Sequence, residues 1–198
     1  MRELVLKMSM SLDGFVAAPR AESNWMFRGG SPDSMAWVLD VVAGAGVHAF
    51  GRKTFETISG FWPTAPGPIA EPMNRIPKVV FTTQREFDPR TVAVPDPGSP
   101  AAATWTGARV AAGLLEAEVA ALKQELDGYV LAQGGTGFGR SLVRAGLVDE
   151  YRLAVLPVVL GSGDGVFARL PDELDLHLVS SEAFAGGALG LVYRPTSR

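Results

Sequence analysis

Three short stretches of this 198-residue chain carry residue types that hold anions. The first is Phe50-Gly51-Arg52-Lys53-Thr54-Phe55-Glu56-Thr57-Ile58. A strand that ends in Gly and turns directly into a helix presents free backbone N–H groups and the positive end of the helix dipole. Arg52 and Lys53 stand beside that terminus, and the Thr54 hydroxyl is placed to donate to a phosphate oxygen. Taken alone, the same residues also describe an ordinary strand-to-helix turn with solvated cations. The second stretch, Ala132-Gln133-Gly134-Gly135-Thr136-Gly137-Phe138-Gly139-Arg140, again follows an apolar strand and precedes a helix. Its glycines permit positive φ values and close backbone approach to a pyrophosphate. It is neither the dinucleotide fingerprint of doubly wound folds, whose third Gly would fall at Arg140, nor a Walker loop, which needs Gly-Lys-Ser/Thr. The third, Phe81-Thr82-Thr83-Gln84-Arg85, puts two hydroxyls and a planar guanidinium at a strand end, a set suited to a ribose 2′-phosphate or simply a polar strand terminus.

Other residues carry weaker chemical signals. Asp13 lies in a Gly-containing loop, where it either orients a substrate or relays a proton, or else closes an Asx-type turn with Gly14. Trp25 and Met26 suit an apolar cover for a flat ring, although Trp25 also suits the core. His48 sits on an apolar strand and His177 on a polar face, and neither has metal-ligand spacing to another His. Gly161-Ser162-Gly163-Asp164-Gly165 lacks the acidic ligands of a calcium loop. No metal site is expected.

The elements that must position these residues follow from pattern. A first strand spans Leu4 to Met10, and a loop runs from Asp13 to about Ser31. Ser31-Pro32-Asp33 starts a helix, with Ser at the cap, Pro in the first turn and an acid against the dipole. That helix carries Met35, Trp37, Val38 and Val41 and stops at Gly44-Ala45-Gly46. Strands are expected at Val47–Phe50, Lys78–Thr82, Tyr129–Ala132 and Tyr151–Leu160, the last interrupted by Pro157. Thr104-Trp105-Thr106 reads as a brief strand, and Phe61 to Pro77 and Asp88 to Pro100 as loops. Helices follow Gly51 and Gly135, and Leu114, Leu115, Val119 and Leu122 mark another. Leu174, Leu176 and Leu178 alternate with polar neighbours in a half-buried strand, paired antiparallel with Gly187 to Arg194. The result is an α/β fold with a mostly parallel central sheet, flanking helices and antiparallel C-terminal strands, in one domain over residues 1–198.

Composition narrows the function. A net charge of -3 argues against a nucleic-acid partner, because counterion release needs a positive face. The chain has no Cys, which removes disulfides, thiolate nucleophiles and Cys-based metal sites and fits a reducing cytoplasm. The N-terminus is too charged for a signal peptide, and no apolar run approaches the roughly 20 residues that span a bilayer, so no membrane partner is expected.

The ordered set of motifs resembles a known family. Gly51-Arg52-Lys53-Thr54-Phe55-Glu56-Thr57-Ile58 is similar to the cofactor-phosphate helix of dihydrofolate reductases, and Val79-Val80-Phe81-Thr82-Thr83-Gln84 and Gly134-Gly135 follow in that family's order. Ser11-Leu12-Asp13-Gly14 and Ala145-Gly146-Leu147-Val148-Asp149-Glu150-Tyr151, followed by Leu156-Pro157-Val158-Val159-Leu160-Gly161, resemble the C-terminal reductase domain of riboflavin-biosynthesis deaminase-reductases. The resemblance implies a dihydrofolate-reductase-like fold and an NADPH cofactor. Gly51, Arg52, Lys53 and Thr54 would hold its phosphates, and Thr82, Thr83 and Arg85 its adenosine and 2′-phosphate. Gly134, Gly135, Thr136, Gly137, Phe138 and Gly139 would wrap the pyrophosphate, and Ser9 and Val16 would flank the nicotinamide. On the substrate side, the pterin-binding carboxylate of dihydrofolate reductases falls at Ser34, with Asp33 one residue away. Since one residue turns a helical side chain by about 100°, Asp33 does not substitute for it directly. Gln133 stands where riboflavin-type reductases commonly have Glu, and the folate-tail arginine has no clear match, Arg75 lying only nearby. The expectation is an NADPH-dependent reductase of a small planar heterocycle, imine or carbonyl compound, with Trp25, Asp33, Ser34 and Gln133 on the substrate side, Asp13 or a bound water as proton donor, and a homodimeric, cytoplasmic protein. The alternative is a non-catalytic NADPH-binding or regulatory module on the same scaffold.

Overall fold

The first strand shows how the sequence builds the sheet. In β1 (Leu4–Ser11), Leu4, Leu6, Met8 and Met10 point to one face and join a buried cluster. Burial of each such side chain stabilises by about 1.5–3 kcal/mol. On the other face only Val5 is apolar, and Lys7, Ser9 and Ser11 follow at the period of two that a strand imposes. The structure is a computed structural model that describes residues 2–18, 23–125 and 127–196.

The chain continues through α1 (Pro32–Ala43), β2 (Ala45–Gly51), α2 (Arg52–Ser59), α3 (Ala70–Arg75), β3 (Lys78–Phe81), α4 (Pro100–Thr106), β4 (Arg109–Ala111), α5 (Leu115–Glu125), β5 (Tyr129–Gln133), α6 (Thr136–Arg144), β6 (Glu150–Leu156), β7 (Leu176–Ala183) and β8 (Leu189–Pro195). Among the described residues the sheet has eight strands in the order β4-β3-β2-β5-β1-β6-β8-β7. The first six are parallel to their neighbours, and β8 and β7 add antiparallel at one edge. Helices α5 and α6 pack on the Leu4–Met10 face, and α1 to α4 on the other, where Phe50, Phe55 and Trp105 form an aromatic centre. This is the mixed sheet with an antiparallel C-terminal section that the pattern predicts. No helix among the described residues is long and apolar enough to cross a membrane.

Four local expectations are corrected. Thr104-Trp105-Thr106 ends helix α4 rather than forming a strand. Ser99-Pro100 is a cap-and-proline start, in which the Ser99 hydroxyl accepts from the Ala102 amide at 3.3 Å, and three alanines carry the helix to Trp105. The loop expected over Phe61 to Pro77 contains α3, in which Ala70 and Met73 are buried and Met73 joins the cluster on the aromatic face. Strand β6 stops at Leu156 because Pro157 has no N–H to continue the ladder. Strand β7 begins at Leu176 and is exposed along most of its length, an edge rather than a half-buried strand.

Candidate active site

Parallel strands bring their carboxyl ends to one rim. Gly51 is level with Phe81, Ala49 with Ala132, and Lys7 with Gln133, so the turns after β3, β2 and β5 lie side by side next to the end of β1. Side chains lock these turns together. The Phe81 and Phe138 rings stack at 4.7 Å between centroids. A Cβ on Gly51 would stand 2.9 Å from Phe138 Cβ, so the start of α2 lies directly against α6. Gly134 and Gly135 have φ of +75° and +81°, and a Cβ there would meet Thr54 Cγ2 and Oγ1, each at 2.8 Å. Only glycine fits both the backbone and the approach.

The two helices that start at this rim have backbone caps, Gly51 and Gly135, with no side chain bonded to their first-turn amides. In α6 the first helical bond runs from Gly139 N to Gly135 O at 2.9 Å, which leaves the amides of Thr136, Gly137 and Phe138 outside the intrahelical ladder. Gly139 itself faces inward, with a Cβ position 3.0 Å from Val166 and 3.6 Å from Leu6, and serves helix-to-sheet packing. Arg52 forms an ion pair with Glu56 through Nη1 at 2.6 Å. Lys53 and Arg85 are exposed at the same rim and take part in none of the ion pairs among the described residues. Thr82 continues the β3 ladder to Ala111 and accepts from the Gln84 amide at 3.0 Å, while Thr83 is exposed.

The floor beside the rim is polar. Lys7 is half-buried on a central strand, with the Ser9 hydroxyl 3.2 Å from Nζ and no ion-pair partner among the described residues. Burial pushes its amine down to about 8. Gln133 is its register neighbour on β5 and donates to Met73 Sδ in α3 at 3.4 Å. A half-buried ammonium is costly unless it is hydrogen-bonded, and the Ser9 hydroxyl accepts from this one. Sequence reading missed Lys7. The signal was the run Lys7, Ser9, Ser11 on one face of a strand that must be covered on both sides, where apolar residues are the rule.

The expected substrate-side groups have other partners. Asp13 accepts from Leu160 N at 3.1 Å and from Gly161 N at 2.7 Å, tying the loop after β1 to the segment after β6. A hydrogen bond from Ser11 and these amides hold its carboxyl below the ordinary range, so it is ionised at neutral pH and ill-suited to donate a proton. Asp33 accepts from Ala185 N at 2.9 Å and Ser34 N at 3.0 Å, joining α1 to the β7–β8 turn. The Ser34 hydroxyl accepts from Ser31 N at 2.9 Å and donates to Ser31 O, a local cap. Trp25 is 5% exposed and packs with Leu156, Val158 and Phe184, as a core residue. Val16 packs against the Leu4–Met10 cluster, and its amide donates to Asp164 O at 2.8 Å. His48 is buried, bonded through Nε2 to Val42 O at 3.0 Å, and burial drives its pKa down to about 3. Among the described residues no group of His, Asp and Glu is arranged to hold a metal ion.

This architecture defines a class. Dihydrofolate reductase of Enterococcus faecalis, in a structure complexed with NADP(H), superposes with a TM-score of 0.61 at 14% identity, covering 98% of this chain and 97% of that one. RibD of Acinetobacter baumannii superposes with a TM-score of 0.70 at 18% identity, covering all of this chain and 59% of that one. The fold is that of the dihydrofolate-reductase-like proteins. Residues 2–189 match the model of the RibD C-terminal domain, and the chain belongs to that family. The uncharacterized protein YyaP of Bacillus subtilis (strain 168) is 28% identical over 198 residues, covering 97% of this chain and 94% of its own.

Proposed function

We propose that the protein is an NADPH-dependent reductase that delivers hydride to a C=N or C=O carbon of a small, planar, polar substrate. One observation carries the reading: the uncapped starts of α2 and α6 meet across Thr54 and Gly134-Gly135, beside a lysine on β1 with no ion-pair partner among the described residues. Ligands of parallel sheets bind at carboxyl ends of strands, and helix starts attract phosphate. The cradle fits the cofactor: Gly134 and Gly135 give the close turn, and a Cβ on Gly137 would meet nothing within 4 Å, so the backbone there is open to a bulky anion. Free amides of Thr136, Gly137 and Phe138, with the α2 start at Arg52, Lys53 and Thr54, would hold the pyrophosphate. Lys53 and Arg85 would balance phosphate charge, with Thr82 and Thr83 around the adenosine end. Each charge-assisted bond contributes about 1.5–3 kcal/mol.

When bound, NADPH supplies the hydride. The reduced bond gains that hydride at carbon and a proton at nitrogen or oxygen. In this reading the Lys7 ammonium would give that proton to the heteroatom and regain one from solvent, with Ser9 accepting from Nζ and Gln133 alongside. Asp13 and Asp33 shape the loops around this floor. A homodimer belongs to the same reading, because β7 presents eight residues of open edge with Leu178 and Val179 about half exposed, and such an edge calls for cover. Sedimentation at working concentration is expected to give the dimer mass.

The test is a fluorescence titration with NADPH and NADH, followed by turnover assays on pterins, aminopyrimidines, small imines and ketones. Saturable NADPH binding and oxidation with at least one substrate class is expected. Absence of binding would overturn the reading, and binding without turnover on any class would favour the regulatory module.

A further inference from the structure

Two segments that flank the floor are stitched to each other. Leu12 N donates to Val158 O at 2.8 Å, Val16 N to Asp164 O at 2.8 Å, and Asp164 N to Ala17 O at 2.9 Å. The Asp13 carboxylate takes the amides of Leu160 and Gly161. Contact is backbone to backbone, since a Cβ on Gly163 would fall 2.2 Å from Ala17 O. The stitched pair meets α6 twice: Val166 packs against Gly139, and a side chain one residue further on makes the polar link. Arg140, one turn into that helix, donates through Nε and Nη2 to Gly165 O at 3.2 and 2.9 Å, with Nη2 3.7 Å from the Asp164 carboxylate. Its position is that of the third glycine in a dinucleotide fingerprint, yet its guanidinium turns to the loop and is about one-quarter exposed.

From this geometry we infer that Arg140 is a positioning residue that fixes the loop after β1 relative to the cofactor helix. The inference rests on the cofactor reading above, because α6 carries the proposed pyrophosphate site at its start. Phosphates seated on Thr136, Gly137 and Phe138 fix α6, and Arg140 passes that placement through Gly165 and Asp164 to Val16 and Ala17, beside the end of β1. A planar fork suits this role, because two N–H groups converge on one carbonyl while the charge faces Asp164. Lysine offers a single rotatable ammonium and would hold the loop less firmly. Reaction rates depend steeply on such placement, since misplacing a reacting partner by about 1 Å costs about a hundredfold.

The experiment compares wild type with Arg140→Met and Arg140→Lys by amide hydrogen exchange, NADPH titration and single-turnover hydride transfer. In Arg140→Met, the amides of Val16 and Asp164 are expected to exchange about tenfold faster in the unliganded protein, as expected when local opening becomes easier. Leu160 and Gly161, held by Asp13, remain closer to wild type. NADPH affinity stays within about twofold while hydride transfer falls about tenfold, because the lost contact shapes the reacting end and not the phosphates. Arg140→Lys falls between the two and keeps the fold testable if the Met variant does not express. Unchanged exchange at Val16 and Asp164 would overturn the inference. Affinity falling in step with rate would overturn it too, making Arg140 a phosphate ligand, as would uniformly faster exchange, which marks a general stability residue. If wild type binds no NADPH, the reductase reading fails by itself, and the exchange data still decide whether Arg140 fastens the loop.

Discussion

Along the rim between α2 and α6 the polar groups that matter belong to the backbone, whereas on the α1 side they are side chains already bonded to neighbours. The rim amides are open because glycine caps both helices and Thr54 fills the space that side chains on Gly134 and Gly135 would need. On the α1 side, Asp33 holds the β7–β8 turn, Ser34 caps its own helix, and Asp13 holds the segment after β6. On β1 beside the rim, Lys7 has no ion-pair partner among the described residues and donates to the Ser9 hydroxyl. The rim thus takes its shape from residues that contribute no side chain, whereas the α1 side is held by side-chain hydrogen bonds.

Damage to the cradle should cost the most. Gly135→Val places a branched side chain at positive φ against the Thr54 hydroxyl and should weaken NADPH binding about a hundredfold, or about 3 kcal/mol at 1.4 kcal/mol per decade. Isothermal titration checks this. Affinity close to wild type would move the phosphates elsewhere.

Next comes the floor. Lys7→Met should lower single-turnover hydride transfer about a hundredfold, within the range for loss of a proton-handling group, with NADPH affinity within about twofold. Because burial sets this amine near 8, kcat/KM in wild type should fall as pH climbs through about 8, where the ammonium form is lost. The Met variant should lack that alkaline limb. A limb that persists belongs to another group.

The loop-holding carboxylates should affect stability and leave cofactor binding alone. The carboxyl of Asp33 is held below its ordinary 3.8, first by the Ser31 hydrogen bond and then by the Ala185 amide. Its contribution is therefore present above about pH 4 and lost as pH falls through the lower folded value. Asp33→Ala should melt at lower temperature than wild type at pH 7, with the gap closing in acid. An equal gap at both pH values would assign the effect to packing.

Far from both regions, Lys78 should respond least. Its amine is buried between Ile76 O, Thr104 and the Trp105 ring, and burial lowers it from 10.5 to about 7. The unfolded chain thus binds more protons than the folded one between those values, so this group makes stability rise with pH across that window. Denaturant midpoints of Lys78→Met should show a flatter rise from pH 7 to 10 than wild type.

Much of the rim is legible in the sequence alone. The glycine turns after Phe50 and Ala132 follow from local rules on caps and positive φ, and strand ends converge once the sheet is parallel. Helix α4 escapes such rules because Trp105 and its flanking threonines favour strands, while the deciding signal, Ser99-Pro100 and the alanines, lies upstream. Lys7 is hidden for another reason, since a lysine near a terminus looks solvated until β1 is known to lie between β5 and β6. Asp13 and Asp33 cannot be resolved locally, because their partners lie 148 and 152 residues away in sequence.

Backbone amide NMR during an NADPH titration would show whether the three turns clasp one ligand. Saturating shifts are expected at Arg52–Thr54, Thr82–Arg85 and Thr136–Phe138, with Lys7 and Ser9 on the adjoining strand also perturbed. Shifts confined to other surfaces, or none at saturating cofactor, would contradict the cradle.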